Sequence, residues 1–284
     1  MASAKDCVAA DINYFPAADA PIPTSAWKKR YLSVGDEHTR STIIHDVRHV
    51  QREFSLDTNG FHFVKLPPKH RIDASSTEER IRQDYYPELE ALAKSLTGAS
   101  TAFVFNHVVR AHTSPLDKGK LDVHGRWQDI PAGHPHVDYC GEPASLEGTK
   151  QELNLPPHIS VLFDTSSHYA YLGIWRPLKT VYRDPLAVCD ATTVPDSDYR
   201  IREREFRSGV KSGNYVMCHA GEEQQHQWYY MSEMKPDEAV VFKGYDTDQR
   251  KPGWRCPHTA FRLPASDREP PRQSIEARIV CFWD

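Results

Sequence analysis

The 284-residue chain lacks long apolar runs, an excess of basic charge and closely paired cysteines. No stretch approaches the roughly 20 apolar residues that span a bilayer, which argues against a membrane protein. Its 35 Lys and Arg residues against 39 Asp and Glu residues leave a net charge of −4, whereas nucleic-acid binders carry a basic face. The six cysteines form no CxxC motif, so we expect free thiols. Residues 1–6 contain no apolar segment of a signal peptide, so we expect a cytoplasmic protein.

The composition is that of a folded, loop-rich protein. Apolar residues make up 39% of the chain and aromatic residues 11%, which is too much for a disordered protein. There are 21 prolines and 14 glycines, and no repeat or linker divides the sequence. We expect one domain over residues 1–284, with an irregular and helical N-terminal layer over 1–100 and a β-core over 101–284.

The hydrophobic pattern changes from helical to strand-like near Gly98. A capping box of Ser76 and Glu79 predicts a helix that ends at Gly98, with a kink or a break at Pro87. Short apolar runs separated by Pro, Gly and Asp indicate strands of a β-sandwich or barrel. The predicted strands are 61–66, 101–105, 108–109, 159–163, 171–175, 228–231, 239–242 and 279–283.

The segment around His136 carries the first candidate site. In an extended chain, residues i and i+2 lie on the same face, so His136 and Asp138 present an imidazole and a carboxylate together. With a distant second histidine, this is the 2-His-1-carboxylate arrangement that binds non-haem Fe(II). A lone HxD motif also arises by chance. His134 shares this face, but no pattern requires it as a ligand.

A second histidine and an arginine follow late in the chain. His258 lies 120 residues after Asp138, and Arg272 and Ser274 lie 14 and 16 residues after His258. In a double-stranded β-helix, a late histidine completes the metal site and a following arginine binds the distal carboxylate of 2-oxoglutarate. A guanidinium forks onto a carboxylate, and a hydroxyl two residues on adds a hydrogen bond. A barrel strand with an exposed ladder of Arg and Glu is the structural alternative.

Residues from about 171 to 283 resemble the fungal 2-oxoglutarate/Fe(II) oxygenases that are gibberellin-desaturase-like or related to the cephamycin methoxylase accessory protein. The matching segments are FNHVVR, HVDY, IWRPL, DPLAVCDA, HQWYYMSEMKPDEAVVFKGYD, CPHTAF and PRQSIEAR, which together extend the similarity over more than half of the chain. The resemblance implies a mainly β fold, with a double-stranded β-helix (jelly-roll, cupin-like) core and N-terminal and flanking α-helices.

The resemblance also implies the chemistry. Fe(II), 2-oxoglutarate and O2 would oxidise a small molecule of secondary metabolism by hydroxylation, desaturation or cyclisation, with release of succinate and CO2. The implied metal ligands are His136, Asp138 and His258. Arg272 with Ser274 is the favoured site for 2-oxoglutarate, and Arg278 is the competing one.

Five further residues are candidates for the substrate site. They are Asn106, Arg110, Tyr139, Trp175 and Arg176. The expected partner is a small molecule rather than a nucleic acid or a membrane, and the sequence carries no signal for the oligomeric state. Two alternatives remain open: a cupin-type metal enzyme that does not use 2-oxoglutarate, and a catalytically inactive barrel that binds a ligand.

Overall fold

The computed structural model describes residues 6–16, 38–50, 53–111, 131–153, 155–206, 208–219 and 226–284. This part of the chain contains thirteen β-strands in two sheets. In chain order, β1 to β13 are Cys7–Asn13, Thr39–Asp46, Phe61–Lys65, Thr101–Arg110, His136–Val137, His168–Pro177, Leu186–Cys189, Tyr199–Glu205, Lys211–Met217, Trp228–Tyr230, Glu238–Asp246, His258–Ala260 and Ser274–Trp283. The predicted mainly β architecture is confirmed.

The strand order mixes distant parts of the chain. The larger sheet has the order β1-β2-β10-β7-β12-β5-β9-β8, and the smaller sheet has the order β3-β11-β6-β13-β4. Strands β1, β2 and β3 come from the first hundred residues and join these two sheets. The division into a layer over 1–100 and a core over 101–284 therefore does not follow the sheets, and a single domain over 1–284 stays a prediction.

The smaller sheet has a helical face and an inner face. In β13, Ile275, Ala277 and Ile279 pack into the same apolar cluster as Leu89 of the helical layer. Alternate residues of a strand point to opposite faces, so Ser274, Glu276 and Arg278 point toward the larger sheet. The inner face of this sheet therefore carries the polar residues that line the site.

The predicted helix after residue 76 is present, but its first turn differs from the prediction. Thr77, not Ser76, is the N-cap, since its Oγ1 accepts a hydrogen bond from the Arg80 amide at 3.2 Å. The Ser76 hydroxyl accepts from the Asp73 amide at 3.0 Å instead. The predicted capping box is therefore wrong, because Ser76 closes the turn that precedes the helix.

The helix is broken near Pro87, as predicted. A first turn, α1 (Glu78–Arg80), leads into a π-helical turn over Ile81–Tyr85, and α2 (Tyr86–Thr97) follows. Proline has no amide hydrogen to donate to the preceding turn, which favours a change of hydrogen-bond pattern there. Gly98 ends α2 in the left-handed conformation, with a φ of 71°, which confirms the predicted end of the helix.

The predicted strand over residues 159–163 is wrong. Among the described residues, three α-helices follow β5, namely α3 (Pro143–Glu152), α4 (Pro157–Ser160) and α5 (Leu162–Thr165). Pro157 begins α4, and the amide of Ser160 donates to the Pro156 carbonyl at 2.9 Å. A proline at the first helical position favours this turn. Val161 is 50% exposed, so the apolar run does not pair as a buried strand.

All six cysteines are free thiols, as predicted, and five of them are buried. Burial raises the pKa of Cys218 and of Cys281 to about 12, because the thiolate loses its hydration. These thiols are therefore neutral packing groups at physiological pH.

Candidate active site

Two adjacent strands of the larger sheet bring the predicted histidines together. His136 in β5 and His258 in β12 are direct antiparallel partners, and their ring centroids lie 4.4 Å apart. Asp138 follows β5, and one ligand atom from each of the three residues lies within 4.8 Å of the others. Residues 120 positions apart in sequence thus form a compact 2-His-1-carboxylate cluster, which suits Fe(II).

Hydrogen bonds to the backbone orient both imidazoles. The Nδ1 atom of His136 bonds to the His134 carbonyl at 2.8 Å, and that of His258 bonds to the Cys256 carbonyl at 3.2 Å. A carbonyl only accepts, so each Nδ1 carries the proton and each Nε2 is left with a lone pair for a metal. Burial and the neighbouring His258 lower the pKa of His136 to about 3, which keeps it neutral.

The third member of the cluster is held by an arginine. Arg278 donates from Nε to Asp138 Oδ2 at 3.0 Å, and its Nη2 lies 2.9 Å from Glu276 Oε1. Burial alone would raise the pKa of Asp138, but the charge of Arg278 and its hydrogen bond hold that pKa well below its usual range. Asp138 is therefore an anion with one oxygen fixed by Arg278 and the other, Oδ1, beside His136 Nε2 at 3.8 Å.

His134 is turned away from this cluster. Its Nδ1 bonds to the Asn13 carbonyl at 2.9 Å, and its ring packs 5.3 Å from that of Phe15. The strand alternation placed His134 and His136 on one face, but His134 lies outside β5, where the chain has left the extended conformation. We therefore exclude it from the metal-binding set.

Arg272 lies in a narrow cleft on one side of the two histidines. His136, His258, Trp175 and Glu276 also line this cleft. Arg272 is 6% exposed and donates from Nη1 to the Asp184 carbonyl at 2.7 Å, while its buried Nε has no hydrogen-bond partner among the described residues. Burial and the nearby Arg110 lower its pKa to about 9, so the guanidinium stays charged at neutral pH.

Three other predicted site residues are Ser274, Trp175 and Arg110. The Ser274 hydroxyl and the Trp175 indole N–H are buried, and within the described part of the chain neither has a hydrogen-bond partner. The Arg272 guanidinium lies 5.3 Å from the Trp175 ring centroid. Arg110 also lines the cleft, and its Nη2 lies 3.9 Å from Glu276 Oε2. The cleft thus combines a buried cation with the indole donor of Trp175.

A larger cavity of about 340 Å³ lies on the Asp138 side of the cluster. Its lining residues are Phe105, Asn106, Asp138, Tyr139, Thr149, Glu152, Leu153, Arg204, Phe206 and Arg278. Asn106 faces it because a bulge between β4 and β13 shifts the register, so that Asn106 pairs with Arg278 while Val104 pairs with Ile279. The Tyr139 ring packs 4.5 Å from Tyr171 and forms part of the floor.

Arg176 does not belong to the site. Its neighbour Trp175 points inward, so Arg176 points to the helical face of β6. There its Nε donates to the Pro236 carbonyl at 2.7 Å, and its guanidinium lies 5.3 Å from the ring of Tyr85. With 4% exposure and Glu88 Oε1 at 3.9 Å, it is a buried structural cation.

Sequence reasoning missed the residues that support His258. The Phe242 ring packs 4.3 Å from the His258 ring, and it can do so only because residue 173 is glycine. A Cβ at Gly173 would lie 2.4 Å from the Phe242 ring. An isolated glycine inside an apolar strand is the signal of such a close approach.

A 2-His-1-carboxylate cluster on a two-sheet β-barrel, flanked by a buried arginine, defines the class of non-haem Fe(II) oxygenases. A family model described as "Oxidoreductase/YMDC permease-like domain" matches residues 12–282. The hydroxylase/desaturase efuI of Hormonema carpetanum is 34% identical, over 87% of this chain and 85% of the relative. The alpha-ketoglutarate-dependent dioxygenase phiK of a fungal species is 30% identical, over 95% and 94%. The chain belongs to this family of fungal Fe(II)/2-oxoglutarate-dependent hydroxylases and desaturases.

A solved structure gives the same result for the fold. The iron and alpha-ketoglutarate-dependent endoperoxidase NvfI matches with a TM-score of 0.71 and 26% identity, over 99% of each chain. The predicted double-stranded β-helix (jelly-roll) fold is thereby confirmed. The protein is an Fe(II)/2-oxoglutarate-dependent dioxygenase of small molecules. None of the helices in the described residues is long and apolar enough to cross a membrane.

Proposed function

We propose that His136, Asp138 and His258 hold the Fe(II) ion of this dioxygenase. The observation that carries the proposal is the convergence of their three ligand atoms within 4.8 Å, with each imidazole oriented by a backbone carbonyl. Three protein ligands leave open positions for a chelating cosubstrate and for O2. Iron with 2-oxoglutarate and O2 supplies the oxidising power, and the protein supplies orientation.

Arg272 and Ser274 bind the distal carboxylate of 2-oxoglutarate in this proposal. Arg272 is a buried guanidinium that reaches the cleft beside both histidines, and the Ser274 hydroxyl adds a second donor without a partner in the described residues. A carboxylate in the cleft would accept a hydrogen bond from Arg272 Nε and would neutralise the buried positive charge of this guanidinium. Arg278 is already bonded to Asp138 and Glu276, which supports a role in positioning the metal-binding carboxylate.

The substrate occupies the cavity over Asp138 and Tyr139. Phe105, Tyr139 and Leu153 supply an apolar wall, and Asn106 with Arg278 supplies the polar edge. Such a site suits a small molecule of secondary metabolism that is hydroxylated, desaturated or cyclised, since the outcome depends on which C–H bond the wall presents to the metal. We place this reaction in the cytoplasm.

An anaerobic titration tests the assignment. Adding 2-oxoglutarate to the Fe(II)-loaded protein should produce the weak visible charge-transfer band of a 2-oxo acid bound to iron. His258→Ala should lose both the iron and the band, while His134→Ala is the matched control and should keep both, because its ring bonds to the Asn13 carbonyl.

The same titration separates the alternatives. Iron binding without the band would identify a metal enzyme that does not use 2-oxoglutarate, and the absence of both would identify an inactive barrel. Retention of stoichiometric iron in His258→Ala would contradict the proposed metal centre.

A further inference from the structure

Strand β8 carries a row of three arginines, one of which reaches the cavity beside Asp138. Arg200, Arg202 and Arg204 are partly buried, and they alternate with the exposed side chains of Ile201, Glu203 and Glu205. Arg202 is engaged, since its Nε donates to Asn214 Oδ1 at 3.1 Å. Arg204 is the member of the row that lines the 340 Å³ cavity beside Asp138.

Strand β9, which pairs with the strand of Arg204, is held in place by close packing against helix α3. Helix α3 lies against β9, where Thr149 Oγ1 and Ser212 Oγ are 2.8 Å apart. A Cβ at Gly148 would lie 1.9 Å from the Lys211 carbonyl oxygen, so only glycine lets the helix approach this closely. Ser212 is also the β9 partner of Arg204. The arginine therefore projects from a rigid edge rather than from a free loop.

Among the described residues, Arg204 is a cation without a counter-ion. Its Nε is buried with no hydrogen-bond partner, and no described carboxylate lies within 4.0 Å of its guanidinium, which lies 5.1 Å from the Phe206 ring centroid. Glu152, which lines the cavity together with Asp138, accepts a hydrogen bond from the Ser208 hydroxyl at 2.6 Å instead. The other arginine of the cavity, Arg278, already contacts two carboxylates. Among the described residues that line this cavity, the spare positive charge is that of Arg204.

We propose that the substrate is an apolar molecule with an anionic group of carboxylate chemistry, which Arg204 binds at the rim of the cavity. This inference rests on the proposed function, because it takes the Asp138 cavity as the substrate site and leaves the Arg272 cleft to 2-oxoglutarate. A guanidinium fork matches a carboxylate in geometry and charge. Phe105, Tyr139 and Leu153 contact the apolar body. The ion pair at the rim then sets which C–H bond faces the metal.

A pair of probes that differ in charge tests the proposal. Under anaerobic conditions, 2-naphthoate and the neutral 2-naphthamide are titrated into the protein loaded with Fe(II) and 2-oxoglutarate, and binding is followed by the change in the charge-transfer band. We expect 2-naphthoate to bind about 10-fold more tightly than the amide, the lower end of what a hydrogen bond to a charged group supplies.

Two variants show where the preference arises. Arg204→Met should remove the preference for naphthoate and leave the titrations of iron and 2-oxoglutarate unchanged. Lys211→Met is the matched control, because it removes one exposed positive charge on the neighbouring strand without lining the cavity. It should keep the preference.

Each outcome has one meaning. Equal or absent binding of the two probes, or an unchanged preference in Arg204→Met, overturns the proposal while the iron and 2-oxoglutarate assignment stands. If Arg204→Met instead weakens 2-oxoglutarate binding, the arginine serves the cosubstrate and the proposal is wrong. If no charge-transfer band forms at all, the proposed function fails, and this inference fails with it.

Discussion

Replacement of Arg272 by methionine should weaken 2-oxoglutarate binding strongly while leaving iron binding nearly unchanged. Methionine keeps most of the length and the apolar contacts of the arginine stem, but it carries no charge and no donors. Arg272 is 6% exposed and lines the cleft beside the two histidines, and its Nε has no hydrogen-bond partner among the described residues. It contacts neither His136 nor His258 by a hydrogen bond, so its removal does not disturb the ligands.

The magnitude follows from the number of charged hydrogen bonds lost. A hydrogen bond to a charged group is worth about 1.5–3 kcal/mol, which corresponds to about 10- to 200-fold in the half-saturating concentration. Ser274→Ala removes a single neutral donor, worth about 0.5–1.5 kcal/mol, so the expected shift is about 2- to 10-fold. The half-saturating 2-oxoglutarate concentration of Arg272→Lys should lie between those of Ser274→Ala and Arg272→Met. The lysine keeps the positive charge, but an ammonium cannot form the paired bonds of a guanidinium.

The assay is a titration of 2-oxoglutarate at saturating iron, read by the charge-transfer band and by succinate formation. Arg278→Met, on the inner face of β13, is the comparison variant. Since Arg278 bonds to Asp138 at 3.0 Å, its loss should first weaken iron binding and should affect 2-oxoglutarate only at iron concentrations that no longer saturate.

Two results would refute the reasoning. If Arg272→Met leaves the titration unchanged and Arg278→Met shifts it at saturating iron, then Arg278 binds the cosubstrate. If neither variant shifts it, the distal carboxylate of 2-oxoglutarate is bound by a different group, and the cleft beside the histidines has another use.

Three further predictions concern the scaffold. Gly173→Ala should destabilise the fold by about 1–3 kcal/mol in thermal unfolding, because a Cβ would lie 2.4 Å from the Phe242 ring; an increase in stability would contradict the packing argument. Burial alone would raise the pKa of Glu238, but hydrogen bonds from Arg48 and Lys65 lower it to about 2 from 4.5, so its stabilising effect is present above pH 4.5 and is lost as the pH falls toward 2. The deficit of Glu238→Gln in denaturant unfolding should therefore shrink over that range, and a constant deficit would be inconsistent with this. Alkylation of the native protein should modify Cys7 first, since the other five thiols are buried; rapid reaction of a second thiol would disprove that burial.

Part of the fold could be predicted because its signals are local. The switch from helical to strand-like periodicity at Gly98 is visible in the sequence, and so is the glycine that ends α2. The prediction of a strand at 159–163 is wrong because periodicity cannot distinguish a short strand from a helical turn. The two prolines before this run favour the helical turn. The predicted N-cap is wrong by one residue, because Ser76 and Thr77 both have side chains that cap a helix well and only the backbone geometry selects between them.

The sequence by itself determined the ligand types of the site. The HxD motif at 136–138, the late His258 and the Arg-x-Ser pattern at 272–274 all follow from residue identity and spacing. The alternation of a strand is enough to place an imidazole and a carboxylate close together. Together with the resemblance to fungal oxygenases, these features predict a 2-His-1-carboxylate iron site.

Only the tertiary structure decided what each remaining side chain faces. The antiparallel pairing of β5 with β12 brings His136 to His258, and no local rule predicts a strand pair separated by about half of the chain. The bulge in β4 turns Asn106 into the cavity, while alternation along β6 sends Arg176 to the helical side. The sequence favoured Arg272 over Arg278 as the site for 2-oxoglutarate, but it could not show their partners. The structure pairs Arg278 with Asp138 and leaves Arg272 Nε without a hydrogen-bond partner among the described residues, because partners are set by three-dimensional packing.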